Sequence, residues 1–371
     1  MATTLIRPQG PLGFESTVGS KMQAAVLYGK EDVRLETVPV PAISPGELLV
    51  RVRTALTCGT DVKVYSRGYH AKMIQPPALF GHELAGDVVA LGDGITGFRV
   101  GDRIVAANSA PCDKCFFCRR GQQNLCEDLL FNNGAYAEYI RLPERIVRKN
   151  TYRIPDSLSY KDAALAEPLA CAVRGLDESH VQPGDTLAVL GLGPIGLMFV
   201  RLAKWAYGAR VIAIARRIEQ VDRAIVLGAD EGILISNHAE MAKDSSLIAE
   251  LKARSGGRGA DVVIEAVGRP DAWELAIQLV RKGGIINFFG GCPTGTRVGL
   301  DTTLLHYGEI TCKASFHHTP SHIRRALQFV AEGRVSAKQL VNHEEPLSEL
   351  PKVLYDLAHR RNGQIKTAII P

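Results

Sequence analysis

Residues 186–196 read Thr186-Leu187-Ala188-Val189-Leu190-Gly191-Leu192-Gly193-Pro194-Ile195-Gly196. A short apolar run gives way to three glycines that open an amphipathic stretch, the setting in which a glycine pattern of this spacing signals a dinucleotide site. The glycines permit a tight turn and let a pyrophosphate approach a helix N-terminus, where backbone amides and the helix dipole favour anions. Gly191, Gly193, Pro194, Ile195 and Gly196 are therefore candidate cofactor-binding residues. Outward from this turn, strands read at Thr186–Leu190, Arg210–Ile214, Val262–Glu265 and Ile285–Phe289 alternate with helices at Ile195–Tyr207, Ile218–Leu227 and Ala272–Val280. That rhythm predicts βαβ units and an α/β, doubly wound parallel sheet. Beyond it, Ile310–Phe316 and Lys366–Ile370 read as strands, Ser321–Glu332 and Leu347–Arg360 as amphipathic helices.

About twenty residues after the glycines, a carboxylate that binds the adenosine ribose hydroxyls is expected of an NAD-preferring site. Ala215 stands there, followed by Arg216 and Arg217. Two guanidinium forks suit a 2′-phosphate better than a bare ribose, so the pattern leans toward NADP over NAD. The other reading has one arginine stacked on adenine and the other solvated, which allows both cofactors.

The first half has a different texture. From Met22 to about Leu142, short β-rich runs such as Glu47–Arg53 and Ala85–Leu91 are separated by Gly, Pro and Asp turns, as in a compact β domain. Within it Cys112, Cys115, Cys118 and Cys126 offer four thiolates from one excursion of backbone. This is the closed tetrahedral set of a structural zinc; two disulfides or four buried thiols are the alternative, and the usual ferredoxin spacing of an iron–sulfur centre differs. A second set mixes chemistry: Cys58 in Cys58-Gly59-Thr60-Asp61, where a strand is expected to give way to a turn, the pair His82-Glu83 after Gly81, and Glu167 at the seam between the two textures. One thiolate, one imidazole and a carboxylate leave a zinc with a position open for catalysis.

Composition excludes several classes. The net charge is +5 over 371 residues, with Lys and Arg scattered rather than striped, which argues against nucleic acid as a partner. No apolar stretch is long enough to span a bilayer. With metal-spaced cysteines and no secretory signal peptide, a reducing cytoplasm is the expected compartment. Residues 1–21 read as an N-terminal extension outside the core.

These motifs, in this order, resemble the zinc-containing medium-chain dehydrogenase/reductase superfamily from about Met22 to the C-terminus. Glu167-Pro168 and Phe316-His317-His318 are similar to its sorbitol, threonine and related polyol dehydrogenase branch; other alcohol dehydrogenases of the superfamily carry a cysteine where Glu167 stands. The resemblance implies a GroES-like, partly open β-barrel catalytic domain over 22–167, completed by 312–371, and a Rossmann domain over 168–311. It implies a catalytic zinc held by Cys58 and His82, with Glu83 and Glu167 sharing the remaining work and the direct ligand between them open. Thr60 takes the place of the first proton-relay hydroxyl, while Lys63 stands where many relatives carry a relay histidine. The relay then ends at the cofactor ribose or at water, or Lys63 approaches a cofactor phosphate, or it is simply exposed. Tyr69, His70 and Phe316-His317-His318 fall near the expected substrate cleft. The implied activity is hydride transfer between a secondary alcohol of a polyol, sugar or cyclitol and NAD(P). Homodimers or homotetramers are expected through sheet-edge pairing, with the apolar run Gly284–Gly291 as the candidate edge. Two rivals are a zinc-independent quinone or enone reductase of the same superfamily and a non-catalytic cofactor-binding protein; the full ligand set argues against both.

Overall fold

The computed structural model of the protein describes residues 18–70, 73–235, 244–359 and 364–371. Its contacts group the chain into two units, 1–167 with 341–371, and 168–340.

The first unit is built on a seven-stranded sheet. The path runs Thr151–Arg153, Arg103–Ala106, Glu83–Leu91, Leu48–Leu56, Thr367–Ile370 and His343–Pro346, with Tyr139–Leu142 also pairing Leu48–Leu56. Leu48–Leu56 is buried at both ends and alternates only around Arg51 and Arg53, as suits a central strand. The C-terminal strand pairs antiparallel with it, Ala368 opposite Leu56 and Ile369 opposite Ala55, so the last residues of the chain complete the barrel started by the first. Leu48, Val50, Ile104, Ile146, Leu350 and Ile369 share its core. The sequence places residues 1–21 outside that core; 1–17 lie outside the described residues, and Lys21 already belongs to the strand Lys21–Gly29.

The second unit is a six-stranded parallel sheet in the order Glu231–Leu234, Arg210–Ala215, Thr186–Leu190, Ala260–Glu265, Val280–Phe288, Thr311–Ala314. Strand order reverses between Thr186–Leu190 and Ala260–Glu265, and such a switch point opens a ligand crevice at the carboxyl ends of the strands. The central strand Thr186–Leu190 is apolar and buried from Leu187 on, because helices such as Pro194–Trp205 and Pro270–Leu279 cover the sheet.

Three expectations are corrected. The run Gly284–Gly291 is not an edge: Val280–Phe288 is paired on both sides, and the outer strand is Thr311–Ala314. The boundary at 311/312 moves to 340/341, because Thr311–Ala314 joins the parallel sheet and the helix Pro320–Ala331 stays with it. A four-residue strand with mostly exposed side chains carries no pattern that assigns it to either sheet. Cys58-Gly59-Thr60-Asp61 is not an isolated turn but the start of the helix Gly59–Arg67.

Candidate active site and cysteine lobe

Cys58 is the N-cap of Gly59–Arg67. Its Sγ accepts from the Thr60 amide at 3.4 Å, while the Asp61 carboxylate accepts from the Cys58 amide at 3.0 Å, a reciprocal capping box with sulfur in the hydroxyl's place. His82 and Glu83 stand at the start of Glu83–Leu91. The turn before them needs glycine: Gly81 has φ +88°, and a Cβ there would lie 2.6 Å from the Tyr136 ring.

Asp61 ties the two segments together. It is 1% exposed, and one oxygen lies 3.0 Å from His82 Nδ1 while the other accepts from the Tyr136 hydroxyl at 2.6 Å. Tyr136 Oη also lies 3.2 Å from the Leu56 carbonyl. With Nδ1 committed to a carboxylate, Nε2 is the nitrogen left for a metal, the outer-shell arrangement that fixes ring orientation and raises ligand basicity. Burial pulls the His82 pKa down, but Asp61 outweighs it and lifts the imidazole well above its ordinary value. Donor atoms of Cys58, His82 and Glu83 all lie within 4.8 Å of one another.

Glu83 is fully buried. Its partner is Lys366, 1% exposed, whose Nζ lies 2.5 Å from Glu83 Oε2 and donates to the Thr57 carbonyl at 2.7 Å. Burial alone would depress the lysine, yet Glu83, Cys58 and Asp61 outweigh it and hold its pKa above the ordinary value. The Thr367 amide donates to Thr57 Oγ1 at 2.9 Å, so the C-terminal strand is fastened to the residue next to Cys58. Glu167, 5% exposed near the start of Ala166–Glu178, stands outside the Cys58, His82, Glu83 trio. It is close enough to reinforce the upward push that burial exerts on Glu83. Thr60 is half-buried beside Cys58, and Lys63 is exposed.

The cysteine quartet converges. Its four sulfurs lie within 4.8 Å of one another, with Cys112 to Cys118 at 4.0 Å and Cys115 to Cys126 at 3.9 Å. A tetrahedron with metal–sulfur bonds of about 2.3 Å has edges of about 3.8 Å, so the set fits a zinc and is far too open for disulfides. Peptide N–H groups of Cys118 and Glu127 lower the Cys115 thiol to about 6, while burial pushes Cys118 up to about 12. Part of the set is prepared as thiolate, and the rest needs a cation to share the charge. Asp113 braces the loop by accepting from Gln123 Nε2 at 2.6 Å and pairing with Lys149.

In the second unit the glycine turn has the form its sequence predicts. Gly191 has φ +97° and sits against Val267, Gly193 is the N-cap of Pro194–Trp205, and a Cβ on Gly196 would lie 1.9 Å from the Gly191 carbonyl oxygen. Ala215 ends its strand buried, Arg216 is half-buried, and Arg217 is the exposed N-cap of Ile218–Leu227. Sequence reading missed Asp61 as the histidine's partner, Tyr136 and Lys366. Asp61 carries the one local signal, the carboxylate three residues past an N-cap.

A β-barrel unit with a mixed Cys, His and carboxylate site, a thiolate lobe and a parallel-sheet unit with a glycine turn define a metal-dependent, nucleotide-linked oxidoreductase. Comparisons agree: residues 44–156 match the alcohol dehydrogenase GroES-like domain and residues 194–332 the zinc-binding dehydrogenase family. The chain belongs to the zinc-containing medium-chain dehydrogenases, on their sorbitol and threonine dehydrogenase side. It is 32% identical to a sorbitol dehydrogenase of Bacillus subtilis, over 96% of this chain and 99% of the relative. It is 34% identical to an erythritol/L-threitol dehydrogenase of Mycolicibacterium smegmatis, over 96% and 100% respectively. Among solved structures, an NADP-bound zinc-binding dehydrogenase from Sinorhizobium meliloti superposes with a TM-score of 0.84 at 30% identity, covering 95% of this chain and all of that one.

Proposed function

We propose that the protein is a zinc-dependent dehydrogenase that moves a hydride between a secondary alcohol of a polyol, sugar or cyclitol and a nicotinamide cofactor, with NADP preferred. The observation that carries this reading is the Cys58, His82, Glu83 trio, held from behind by Asp61 and Lys366. Zinc, when bound, acts as a Lewis acid that polarises the alcohol or carbonyl oxygen, and the nicotinamide supplies or accepts the hydride.

The chain's own residues do the rest. Cys58 and His82 hold the metal, and Glu83 or Glu167 supplies the third protein ligand; Glu83 lies nearer the other two donors. Asp61 keeps His82 in one tautomer, and Lys366 balances the charge of Glu83. Thr60, half-buried beside Cys58, would take the alcohol proton at its hydroxyl and pass its own on to the cofactor ribose or to water, since Lys63 is exposed. Gly191, Gly193, Pro194, Ile195 and Gly196 cradle the pyrophosphate, and Arg216 with Arg217 faces the adenosine 2′-phosphate. The four lobe cysteines hold a second, structural zinc. Tyr69, His70 and Phe316-His317-His318 recognise the further hydroxyls. The enzyme works in the cytoplasm as a homodimer or homotetramer. The test is a matrix of initial rates with NAD and NADP against polyols, cyclitols and simple alcohols, with and without a zinc chelator. Chelator-sensitive polyol turnover with NADP is expected; zinc-independent reduction of a quinone or enone would replace this reading with the rival reductase.

A further inference from the structure

Val50 and Val52 of the strand Leu48–Leu56 enter the barrel core, and Arg51 between them stands on the other face. Arg51 lies opposite Asp87 on Glu83–Leu91, and Asp87 opposite Arg103 on Arg103–Ala106. The registers of three neighbouring strands thus set guanidinium, carboxylate and guanidinium in one row. Arg53 joins them from a bulge: the pairing jumps from Val52 opposite Gly86 to Thr54 opposite Ala85 and leaves Arg53 unopposed. Bulges of this kind re-aim a side chain. A Cβ on Gly86 would lie 2.1 Å from the Arg51 carbonyl oxygen, so the close approach of the two strands here requires glycine.

Arg51, Arg53, Asp87, Arg103 and Tyr160 line a cleft of about 300 Å³, all within the first unit. Three guanidinium groups against one carboxylate give its lining a surplus of two positive charges. Asp87 is already occupied: one oxygen accepts from Arg53 Nε at 2.6 Å and the other from the Tyr160 hydroxyl. Arg103 is fixed by donating to the Pro155 carbonyl at 2.9 Å and the Leu158 carbonyl at 2.6 Å, with its guanidinium 4.4 Å from the centre of the Tyr160 ring. Arg53 is less committed. Beyond Nε, neither of its terminal nitrogens has a partner among the described residues, and the side chain is 44% exposed.

The reaction as proposed uses none of these residues. A guanidinium with both terminal nitrogens unpartnered, lining the same cleft as a second one already held in place, suits the oxygens of a phosphate, and a concave wall of one sign focuses the field on an anion. A phosphomonoester carries a charge of about −1.5 to −2 at neutral pH, which matches the surplus. The volume stands at the small end of ligand sites, which run from about 300 to 1,000 Å³. We propose that this cleft binds a small phosphate-bearing molecule between Arg53 and Arg103, at a site that shares no residue with the zinc trio or the glycine turn. Its floor is formed by the strands that lead to the proposed metal ligands, since Leu48–Leu56 ends two residues before Cys58 and Glu83–Leu91 begins with Glu83. Occupancy ties those strands together and stabilises the first unit.

The test titrates the full chain with glycerol 3-phosphate and with inorganic phosphate by calorimetry, against sodium chloride at equal ionic strength, and maps amide hydrogen exchange with and without the ester. Glycerol 3-phosphate should bind, raise the melting temperature and slow exchange over 50–54 and 86–89. Arg53→Gln should weaken its affinity at least about tenfold, and Arg53→Lys by less, since lysine keeps the charge but not the fork. Arg216→Ala, which removes a proposed cofactor-phosphate contact, should leave the affinity within about twofold. Inorganic phosphate bound as tightly as the ester would name the free anion as the ligand and support the site. Protection confined to 191–196 and 216–217, with affinity unchanged in Arg53→Gln, would assign the phosphate to the dinucleotide turn and overturn the proposal. A response no greater than that to sodium chloride would overturn it as well. Should Arg53→Gln fail to fold, Arg53→Lys and the exchange map carry the same comparison.

Discussion

Removing one oxygen atom, in Tyr136→Phe, isolates what the buried carboxylate beside the proposed zinc ligands is worth. The ring would keep its packing, edge-on to Phe80 at 5.8 Å and against Gly81. What goes is the hydroxyl's 2.6 Å bond to Asp61 and its 3.2 Å contact with the Leu56 carbonyl. Tyr136 is 0% and Asp61 1% exposed, so water cannot replace the lost donor. Hydrogen bonds to a charged group contribute about 1.5–3 kcal/mol, and the upper part of that range applies to a buried carboxylate. At about 2–4 °C per kcal/mol for a unit of about 200 residues, roughly 2.5 kcal/mol lowers the unfolding temperature by about 5–10 °C. The assay is calorimetric or circular-dichroism melting, with turnover measured alongside. Turnover should fall severalfold, because Asp61 orients His82. The control is the same substitution at Tyr28, 40% exposed and bonded to Glu36 at 2.8 Å, which should change stability by less than about 0.5 kcal/mol. Equal effects at Tyr136 and Tyr28 would refute the reasoning.

Lys366→Met should destabilise by about 3–5 kcal/mol, since it leaves the fully buried Glu83 and the Thr57 carbonyl without their cation, and Lys366→Met/Glu83→Gln should recover much of this; denaturant titration reads both. Arg216→Ala should raise the Michaelis constant for NADP selectively, by about tenfold or more, and an unchanged NADP to NAD ratio would reject a phosphate-binding role. Asp177 gives a pH dependence. Burial pushes its carboxyl up, but His322, Tyr207 and Arg325 outweigh it and hold the pKa below the ordinary value. Its stabilisation is therefore complete above the unfolded value of about 3.9 and lost as pH falls through the depressed folded one. Asp177→Asn should flatten that acid limb of the melting profile, and an unaltered limb would contradict the assignment.

The parallel sheet was legible because its strands are buried on both faces, read as unbroken apolar runs and alternate with 3.6-period helices. The strand Thr186–Leu190 and helix Ile218–Leu227 stand where periodicity places them. Elements without that signal escaped: Glu231–Leu234 is short and half-exposed, and Thr302–Gly308 has little apolar face to bury. At the site, the residues with distinctive donor chemistry were visible as types, and the cysteine quartet was visible by spacing alone. The partners behind them were not. Tyr136 and Lys366 meet Asp61 and Glu83 only after strands distant in sequence pair, and an isolated lysine near a chain end reads as solvated. The Gly284–Gly291 run misled because apolarity marks burial, which an interior strand has in greater measure than an edge.

Zinc content and polyol turnover of Cys58→Ser, set beside Cys115→Ser, test the central claim most directly. The parent chain should carry two zinc ions; Cys58→Ser should keep one, melt close to the parent and turn over no polyol, whereas Cys115→Ser should lose stability first. A Cys58→Ser protein that retains two zinc ions and its turnover, or equal loss of stability in both variants, would contradict a catalytic metal at Cys58 and His82 distinct from a structural one in the cysteine lobe.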